Sequence, residues 1–439
     1  MAVQVTGTYG TGIGPTYTHI DKKLLETAKP YMPLHGLAEK KLIPLHSGKT
    51  GQFTRLMRIP KATSALTEGA ADTPVKPYAT DFSVTVAEWG KSISVSTLLD
   101  DTFISPALLA YTEILGINAG QTMNLELQKT LWGNAFDSAA NSVHGCIGLA
   151  GERTTPGDFN QELTANSTGS TTTFGYNELF SGNLEATEGD DFKGGCITFN
   201  NPQSPNYGYA RRISDSSSTS PVTLTWLGAV KVAHNDANTL LYGAETARIT
   251  HFKTTGATKM TQGTDILRAK TIRRAYAVLD AECALPFVKG DYAIVIPPNS
   301  MATLAEETST GGFLDTYKYT DTGPILDNEI ARTAGFRVLK ETEPYLVDAT
   351  AATIGNYTGT KGDMEVVFAL GKGCLGACGL QGQNNLGEND TKIIIHRPGP
   401  QTTSDPTEMF STMAWKTTWA RLSLNACWGV GIVVWPNHI

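Results

Sequence analysis

The sequence predicts an α+β fold that is interrupted by an all-β insertion. Three features lead to this prediction: a long two-stranded hairpin runs directly into a long helix, a segment of short strands follows, and alternating helices and strands then return. The 439 residues are too many for one simple core, which indicates two or three domains. The charged fraction of 18% is low, as expected for a β-rich protein whose surface is largely covered by partners.

The hairpin comprises a first strand predicted over 51–59, a tip rich in Pro and Gly, and a return strand predicted over 80–96. Along the return strand Phe82 and Val84 alternate with polar residues, which is the period of a half-buried strand. An isolated two-stranded ribbon is only marginally stable in water. We therefore expect the ribbon to lie on a neighbouring subunit.

A long helix follows the hairpin. Ser105 is predicted as its N-cap and Pro106 as its first residue, and apolar residues at helical spacing continue to Leu131. About 27 residues at 1.5 Å each give a helix of roughly 40 Å. Gly116 and Gly120 weaken its middle, so we expect close packing or a bend there.

Residues 151–262 differ in character from the segments on either side. Short apolar strands at 196–199, 222–226 and 229–232 alternate with Asn-Pro, Ser-Pro and Gly-rich turns. This pattern predicts an inserted all-β module, which we call the β-module.

The α+β pattern returns at Thr264 and continues to the C-terminus. Periodicity and end signals predict each element. In order, these are a helix with Ile272 and Cys283 on one face, a buried strand at 291–296, a short helix capped by Asn299, a helix at 325–334 ended by Gly335, a strand at 336–339, and two Trp-rich strands within 409–435.

The charge pattern argues against a coat that grips nucleic-acid phosphates directly. The net charge is −7 and the pI is about 5.7, whereas phosphate-binding proteins are typically basic. Residues 19–61 carry nine Lys and Arg against three acids, and residues 158–240 carry nine acids against four bases. One interpretation is two solvated surfaces. The other is a basic arm that lies on an acidic partner surface or near an enclosed polyanion, with the acidic segment facing solvent.

Compartment signals favour a soluble protein made in the cytoplasm. The first 20 residues show neither the basic start nor the apolar stretch of a signal peptide. The longest apolar run, 426–435, has half of the about 20 residues that a membrane helix needs. The six cysteines are widely spaced and complete no metal-ligand pattern, so we expect reduced, structural cysteines.

No catalytic, metal or cofactor site is predicted. Gly48-Lys49-Thr50 mimics the end of a phosphate-binding loop, but Ile43 stands where that motif needs Gly, and a strand follows. The Gly-rich segment 7–14 follows no strand, which excludes a dinucleotide loop. The run 188–191 is more simply an acidic turn than a cation site. The chain is therefore not expected to be an enzyme.

Several motifs in the same order resemble one family of tailed-bacteriophage major capsid proteins. The resemblance spans most of 20–145 and 264–435. It is carried by Ser47-Gly-Lys-Thr50 and Leu66-Thr-Glu-Gly69 in the hairpin, the helix after Ser105-Pro106, the run Asn328-Glu-Ile-Ala-Arg-Thr-Ala-Gly-Phe-Arg-Val338, and Asp405-Pro406 followed by Trp415-Lys416. The β-module departs from the shorter members of that family.

The resemblance implies the fold shared by the capsid floors of tailed phages and herpesviruses. Its parts would be an N-terminal arm at 1–44, an extended loop at 45–96, a peripheral domain with a spine helix at 97–150, the outward-facing β-module at 151–262, and the rest of the peripheral domain with the axial domain at 263–439.

The implied function is a major capsid protein that assembles as pentamers and hexamers into an icosahedral shell around double-stranded DNA. Expected partners are copies of itself, scaffold and portal proteins, a cement or decoration protein, and DNA without sequence-specific contact, with no membrane. The expected location is the virion, after synthesis in the host cytoplasm. Inter-subunit salt bridges are expected from Arg55, Arg58, Lys61 and Glu68, and hinges at Gly69 and Gly90; solvated strand charges are the simpler alternative for the four charged residues.

Two other functions stay open at the level of sequence. A cellular nanocompartment of the same fold would enclose cargo enzymes in place of a genome. A β-rich surface adhesin or carbohydrate binder is favoured by the β-module alone, and the missing export signal and the α+β remainder argue against it.

Overall fold

The protein is described here from a computed structural model. The structure describes residues 24, 26–44, 46–56, 79–96, 107–132, 147–150, 161–165, 169–176, 196–217, 222–226, 229–234, 246–250, 266–288, 290–307, 329–346, 365–381, 392–396 and 410–434. It also describes residue 244 and isolated positions between 59 and 74. The predicted helix start at Ser105-Pro106 and most of the predicted N-terminal arm lie outside these residues.

Helices and strands alternate along the described chain. The helices are α1 (Pro33–Leu37), α2 (Ala107–Trp132), α3 (Ala269–Ala281) and α4 (Pro298–Ala305), with 3-10 turns at Lys29–Tyr31 and Ala426–Trp428. The strands are β1 (Glu39–Ile43), β2 (Thr50–Leu56), β3 (Ala79–Thr85), β4 (Ala87–Ser96), β5 (Ile147–Ala150), β6 (Gln161–Thr164), β7 (Thr173–Tyr176), β8 (Cys196–Phe199), β9 (Ala210–Ser216), β10 (Val222–Trp226), β11 (Thr246–Thr250), β12 (Tyr292–Ile296), β13 (Glu329–Thr333), β14 (Phe336–Lys340), β15 (Tyr345–Leu346), β16 (Glu365–Leu370), β17 (Leu375–Leu380), β18 (Lys392–His396), β19 (Phe410–Ser423) and β20 (Gly429–Val434).

One sheet has the order β13-β14-β12-β16-β20-β5, with β15 also paired to β16. Every residue of β12 is buried, because the strand lies between two layers. Ile294 and Ile296 enter the core that α3 covers, and Val295 enters the core that α2 covers through Leu127. A strand covered on both faces is apolar without alternation, which confirms the buried strand predicted at this position.

A second sheet has the order β1-β17-β19-β18, with β4 on the other edge of β19. The long strand β19 packs against α2, where Trp415 and Leu115 share one core and Trp419 and Leu131 share another. Trp415 Nε1 also donates a hydrogen bond to Asn118 Oδ1 at 3.0 Å. The two Trp-rich strands predicted at the C-terminus are confirmed as β19 and β20.

The glycines of α2 mark a close approach of backbones. A Cβ on Gly116 would lie 2.9 Å from the carbonyl oxygen of Leu24, and one on Gly120 would lie 2.6 Å from that of Ala28. Residues 24 and 26–28 form a helical segment that crosses α2 at this point. The expected close packing is therefore confirmed.

The β-module forms a sheet of its own with the order β6-β11-β8-β9-β10-β7. Its neighbouring strands are antiparallel, and Phe174, Phe199 and Trp226 lie at the centre of its core. The predicted short-strand module is confirmed. The strand predicted at 229–232 is wrong, because this segment is a loop held by two hydrogen bonds between Asn206 and the backbone of Val232.

The helix predicted at 325–334 is wrong for the residues described. Residues 329–333 form β13, which pairs antiparallel with β14. Ala334 and Gly335, with φ of 47° and 80°, make the two-residue turn between them, and positive φ at both turn positions matches the twist of a hairpin. Strand pairing with β14 outweighs the local helical spacing.

Two predicted helix ends also differ. Asn299 does not cap α4, which begins at Pro298, and its Nδ2 instead donates to Glu365 Oε1 at 2.9 Å. Cys283 lies beyond the end of α3, is exposed and has a φ of 48°. Proline sets the start of α4, and left-handed backbone geometry follows the end of α3. The spacing of apolar residues predicts neither boundary.

The prediction that the cysteines are reduced is wrong for one pair. Cys196 and Cys427 form a disulfide with a Cα–Cα distance of 5.9 Å, within the usual range for this bond. They are 231 residues apart in the chain, and only the docking of the β-module brings them together. Of the others, Cys283, Cys374 and Cys378 are thiols outside the disulfide, and Cys146 lies outside the described residues.

Candidate functional site

The candidate site is the ribbon formed by β2 and β3. These strands pair antiparallel from Thr50 with Thr85 to Leu56 with Ala79, as a two-stranded sheet of their own. The predicted return strand does not stay in the ribbon along its whole length. After Val86 the chain enters β4, which pairs with β19 over ten positions. The ribbon is therefore shorter than predicted, and 87–96 anchors it in the second sheet.

The base of the ribbon packs on its own chain. Phe53 is buried in a cluster with Cys378 and Leu422, and Phe82 is partly buried against the same cluster. Gly51 faces Cys378 so closely that a Cβ there would overlap the sulfur. The ribbon was predicted to lie on a neighbouring subunit, but its base packs on its own chain, and the surface that covers the rest stays a prediction.

Three large apolar side chains at the far end of the ribbon are exposed. Leu56 is 74%, Ile59 is 59% and Leu66 is 76% exposed, and we call these residues the ribbon tip. Exposed apolar side chains are unfavourable in water, and burying each one is worth about 1.5–3 kcal/mol. The ribbon tip is therefore the part of the ribbon that would gain most from a partner surface.

The predicted contact residues fall in different places. Arg55 lies in β2 with its guanidinium 5.3 Å from the centroid of the Trp428 ring in the same chain, a cation–π distance. Glu68 is exposed in the turn beyond the ribbon. Arg58 and Lys61 lie outside the described residues. The expected salt bridges between subunits stay a prediction.

The two predicted hinge glycines differ in their surroundings. Gly69 has a φ of 80° and nothing within 4 Å of a Cβ position, so it occupies an open turn that favours glycine. Gly90 lies inside β4 opposite Lys416, where a Cβ would come within 2.6 Å of the Trp415 carbonyl oxygen. This close approach accounts for a glycine at that position by packing alone, and the hinge role of both stays a prediction.

Lys41 joins the ribbon to β1. Its Nζ donates a hydrogen bond to the Gln52 carbonyl oxygen and lies 5.7 Å from the Phe53 ring centroid. Burial raises the pKa of the nearby Cys378 thiol, and the charge of Lys41 opposes this effect. The thiol stays protonated at neutral pH and is a packing group. Nothing in the sequence of β1 predicted that Lys41 would contact the ribbon.

Arg421 anchors β4 to the long helix. Its guanidinium lies 5.2 Å from the Trp89 ring centroid and 5.9 Å from that of Trp419. Its Nε donates to the Glu126 carbonyl oxygen at 2.9 Å, and it pairs with the Glu126 carboxylate. The sequence places these residues far apart, and nothing in their spacing predicts the junction.

The described ranges hold neither a cluster of metal-binding side chains nor a membrane-spanning helix. Within them, no group of three or more His, Cys, Asp or Glu side chains is placed to hold a metal ion. No helix among the described residues is long and apolar enough to cross a membrane.

Comparison with known proteins finds similar structures but no similar sequence family. No family model and no curated protein matches the chain. The capsid of Ralstonia phage GP4 is 9% identical, over 99% of this chain and 96% of that one, with a TM-score of 0.48. The capsid of cyanophage P-SCSP1u is 11% identical, over 98% and 92%, with a TM-score of 0.45. The cyanophage Pam1 capsid is 12% identical, over 99% and 97%, with a TM-score of 0.44. Because these TM-scores are low, we base the function on the chain's own elements.

Proposed function

We propose that this chain is the major capsid protein of a tailed bacteriophage. It assembles as pentamers and hexamers into an icosahedral shell that encloses double-stranded DNA. The observation that carries the proposal is the ribbon, whose base is fastened to its own chain while its apolar tip is left uncovered. The motifs that resemble capsid proteins, from the hairpin to Trp415-Lys416, support the same function.

The ribbon suits assembly into closed rings. An element that projects from one copy onto a different surface of the next makes a heterologous contact, and such contacts close into rings when the rotation permits. A firmly anchored base keeps the ribbon in one orientation, so little ordering entropy opposes binding. Each copy then covers the tip of its neighbour, and the apolar area buried stabilises the ring.

The proposed partners follow from the same role. Copies of this chain are the main partner, with scaffold, portal and cement or decoration proteins acting on the assembled shell. Packaged DNA is enclosed without sequence-specific contact, in keeping with the net charge of −7. The proposed location is the virion, after assembly in the host cytoplasm.

The test is electron microscopy with light scattering on the purified full-length chain, compared with Leu66→Gln. We expect rings or closed shells from the wild type and a large loss of assembled mass in the variant, since the amide carries no comparable hydrophobic gain. Leu285→Gln is the matched control, because Leu285 is also an exposed leucine, at 54%, but belongs to the segment between α3 and β12 and not to the ribbon. It should assemble normally.

Two outcomes would count against the proposal. One is a wild-type chain that stays monomeric as its concentration is raised. The other is equal assembly by wild type and the Leu66 variant, which would leave the ribbon tip without a role.

A further inference from the structure

The Cys196–Cys427 disulfide joins the β-module to the rest of the chain. Cys196 is the first residue of β8, and Cys427 lies in the 3-10 turn between β19 and β20. Both side chains are buried, at 0% and 1% exposure. Cys196 belongs to the core beneath α3 and not to the core of its own module. The bond therefore lies at the junction of two separately packed units.

Other contacts at this junction are non-covalent. Thr198, two residues along β8, donates through Oγ1 to Glu282 Oε2 at 2.8 Å. Trp428, beside Cys427, donates through Nε1 to the Glu282 carbonyl oxygen at 3.3 Å. Ala210 of β9 packs against the core beneath α3. These contacts do not involve the two sulfurs, so they can hold Cys196 close to Cys427 whether or not the disulfide is formed.

We propose that this disulfide is a redox-controlled latch that fastens the β-module to the body of the protein. A small-molecule disulfide such as oxidised glutathione supplies the oxidising equivalents. One cysteine attacks it as a thiolate, which releases one small thiol and leaves a mixed disulfide. The second cysteine then displaces the other small thiol. In sum, two protein thiols are oxidised and one small disulfide is reduced to two thiols.

The reduced and oxidised forms of the latch differ in how strongly they hold the β-module. In reducing surroundings the β-module is held by the Thr198 hydrogen bond and apolar packing, and local opening at the junction is possible. In oxidising surroundings the bond closes a loop of 231 residues, and long loops restrict the unfolded chain strongly. Because both sulfurs are buried, exchange requires the module to lift, and the closed bond is shielded from reductants.

The test uses the full-length chain, first reduced and then treated with oxidised glutathione under native conditions. Intact mass and peptide mapping should show the loss of two hydrogen atoms and a single peptide joining Cys196 to Cys427. We expect the melting temperature of the β-module to rise by several degrees and its proteolysis to slow several-fold on oxidation. Cys283→Ser removes an exposed thiol that is not part of the disulfide and should behave as the wild type.

Cys427→Ser separates the bond from other effects of oxidation. It should melt as the reduced wild type does under both conditions. If this variant fails to fold, the comparison of reduced and oxidised wild type decides alone. A glutathione adduct without the cross-link would overturn the proposal, as would a cross-link that leaves melting and proteolysis unchanged. Neither readout depends on assembly, so the latch and the shell function succeed or fail separately.

Discussion

Gly335 shows how one residue can be required for two reasons at once. Its φ of 80° is a left-handed conformation that glycine adopts without strain. The ring of Tyr276 also lies where a Cβ would stand, and that ring packs edge-on against Tyr292 and Phe336. Gly335 was predicted to end a helix and stands instead in a hairpin turn, because both helix ends and hairpin turns favour a left-handed glycine.

We expect Gly335→Ala to destabilise the protein by about 3 kcal/mol, the sum of left-handed strain and overpacking against Tyr276. Gly290→Ala is the matched control, since Gly290 has a φ of 86° but open space around its Cβ position. It should cost only about 1 kcal/mol, from strain alone. Urea unfolding of both variants measures the difference, and equal losses would show that the Tyr276 ring moves aside freely.

At the scale of elements, a polar seam joins the long helix α2 to the turn after β14. Asn124 Nδ2 donates to Glu341 Oε1 at 2.9 Å, and Gln128 Nε2 donates to the Glu343 carbonyl oxygen at 3.0 Å. Glu341 Oε2 and Asn124 Oδ1 are both buried and have no hydrogen-bond partner. Burial raises the pKa of Glu341, although hydrogen bonds from Asn124 and the turn oppose it. A proton on Glu341 Oε2 would turn one of these two unsatisfied acceptors into a hydrogen-bond donor.

This seam predicts a pH dependence. Because the pKa of Glu341 is raised in the folded state, the folded chain holds its proton to higher pH than the unfolded chain does. Stability should therefore fall as pH rises from the ordinary carboxyl pKa through the raised one. Glu341→Gln keeps a donor at every pH, so it should remove this slope and stabilise the protein by about 1 kcal/mol above the raised pKa.

Urea unfolding across a pH series, with Glu343→Gln beside it, tests the seam. Glu343 is the neighbouring acid and is exposed, so its variant should keep the wild-type slope. The same slope in wild type and Glu341→Gln would place the titrating group elsewhere.

At the scale of the whole molecule, the β-module and the body have separate cores. His234 lies in the module core at 3% exposure. Its ring stacks on Phe199 at 5.0 Å and meets Phe174 and Trp226 edge-on at 5.5 Å and 5.9 Å. Desolvation lowers the pKa of His234 to about 4. The neutral ring is thus part of the aromatic packing that holds the module together.

We predict that acid unfolds the β-module before the body. Because the pKa of His234 is lowered in the folded state, the unfolded module binds the proton at a higher pH than the folded module does. Module stability is therefore complete above pH 6.5 and falls as the pH drops towards 4. The loss reaches about 3 kcal/mol at the lower end. Trp226 fluorescence during acid titration would follow it. His234→Phe should abolish this pH dependence, and an unchanged acid transition in that variant would contradict the assignment.

Much of the fold could be predicted from the sequence, since local signals report local structure. The buried strand β12, the long helix α2 and the short strands of the β-module were recognisable from their apolar periods. The close packing at Gly116 and Gly120 was also foreseen, because glycine inside a helix is costly unless another backbone approaches it.

Less of the candidate site could be predicted. The hairpin strands were visible, but the exchange of partner at Val86, from β2 to β19, was not. An alternating strand looks the same whichever strand it pairs with. The Arg55–Trp428 and Arg421–Trp89 contacts were missed for a related reason, because each joins residues that lie hundreds of positions apart.

The sequence by itself determined the α+β class, the presence of an inserted module of short strands and the presence of a two-stranded ribbon. These follow from periodicity and turn chemistry, which act between residues close in the chain. Only the tertiary structure decided that 329–333 is a strand, that β4 anchors the ribbon and that Cys196 bonds to Cys427. Each of these depends on which distant segments meet, and that is set by packing of the whole core and not by any local preference.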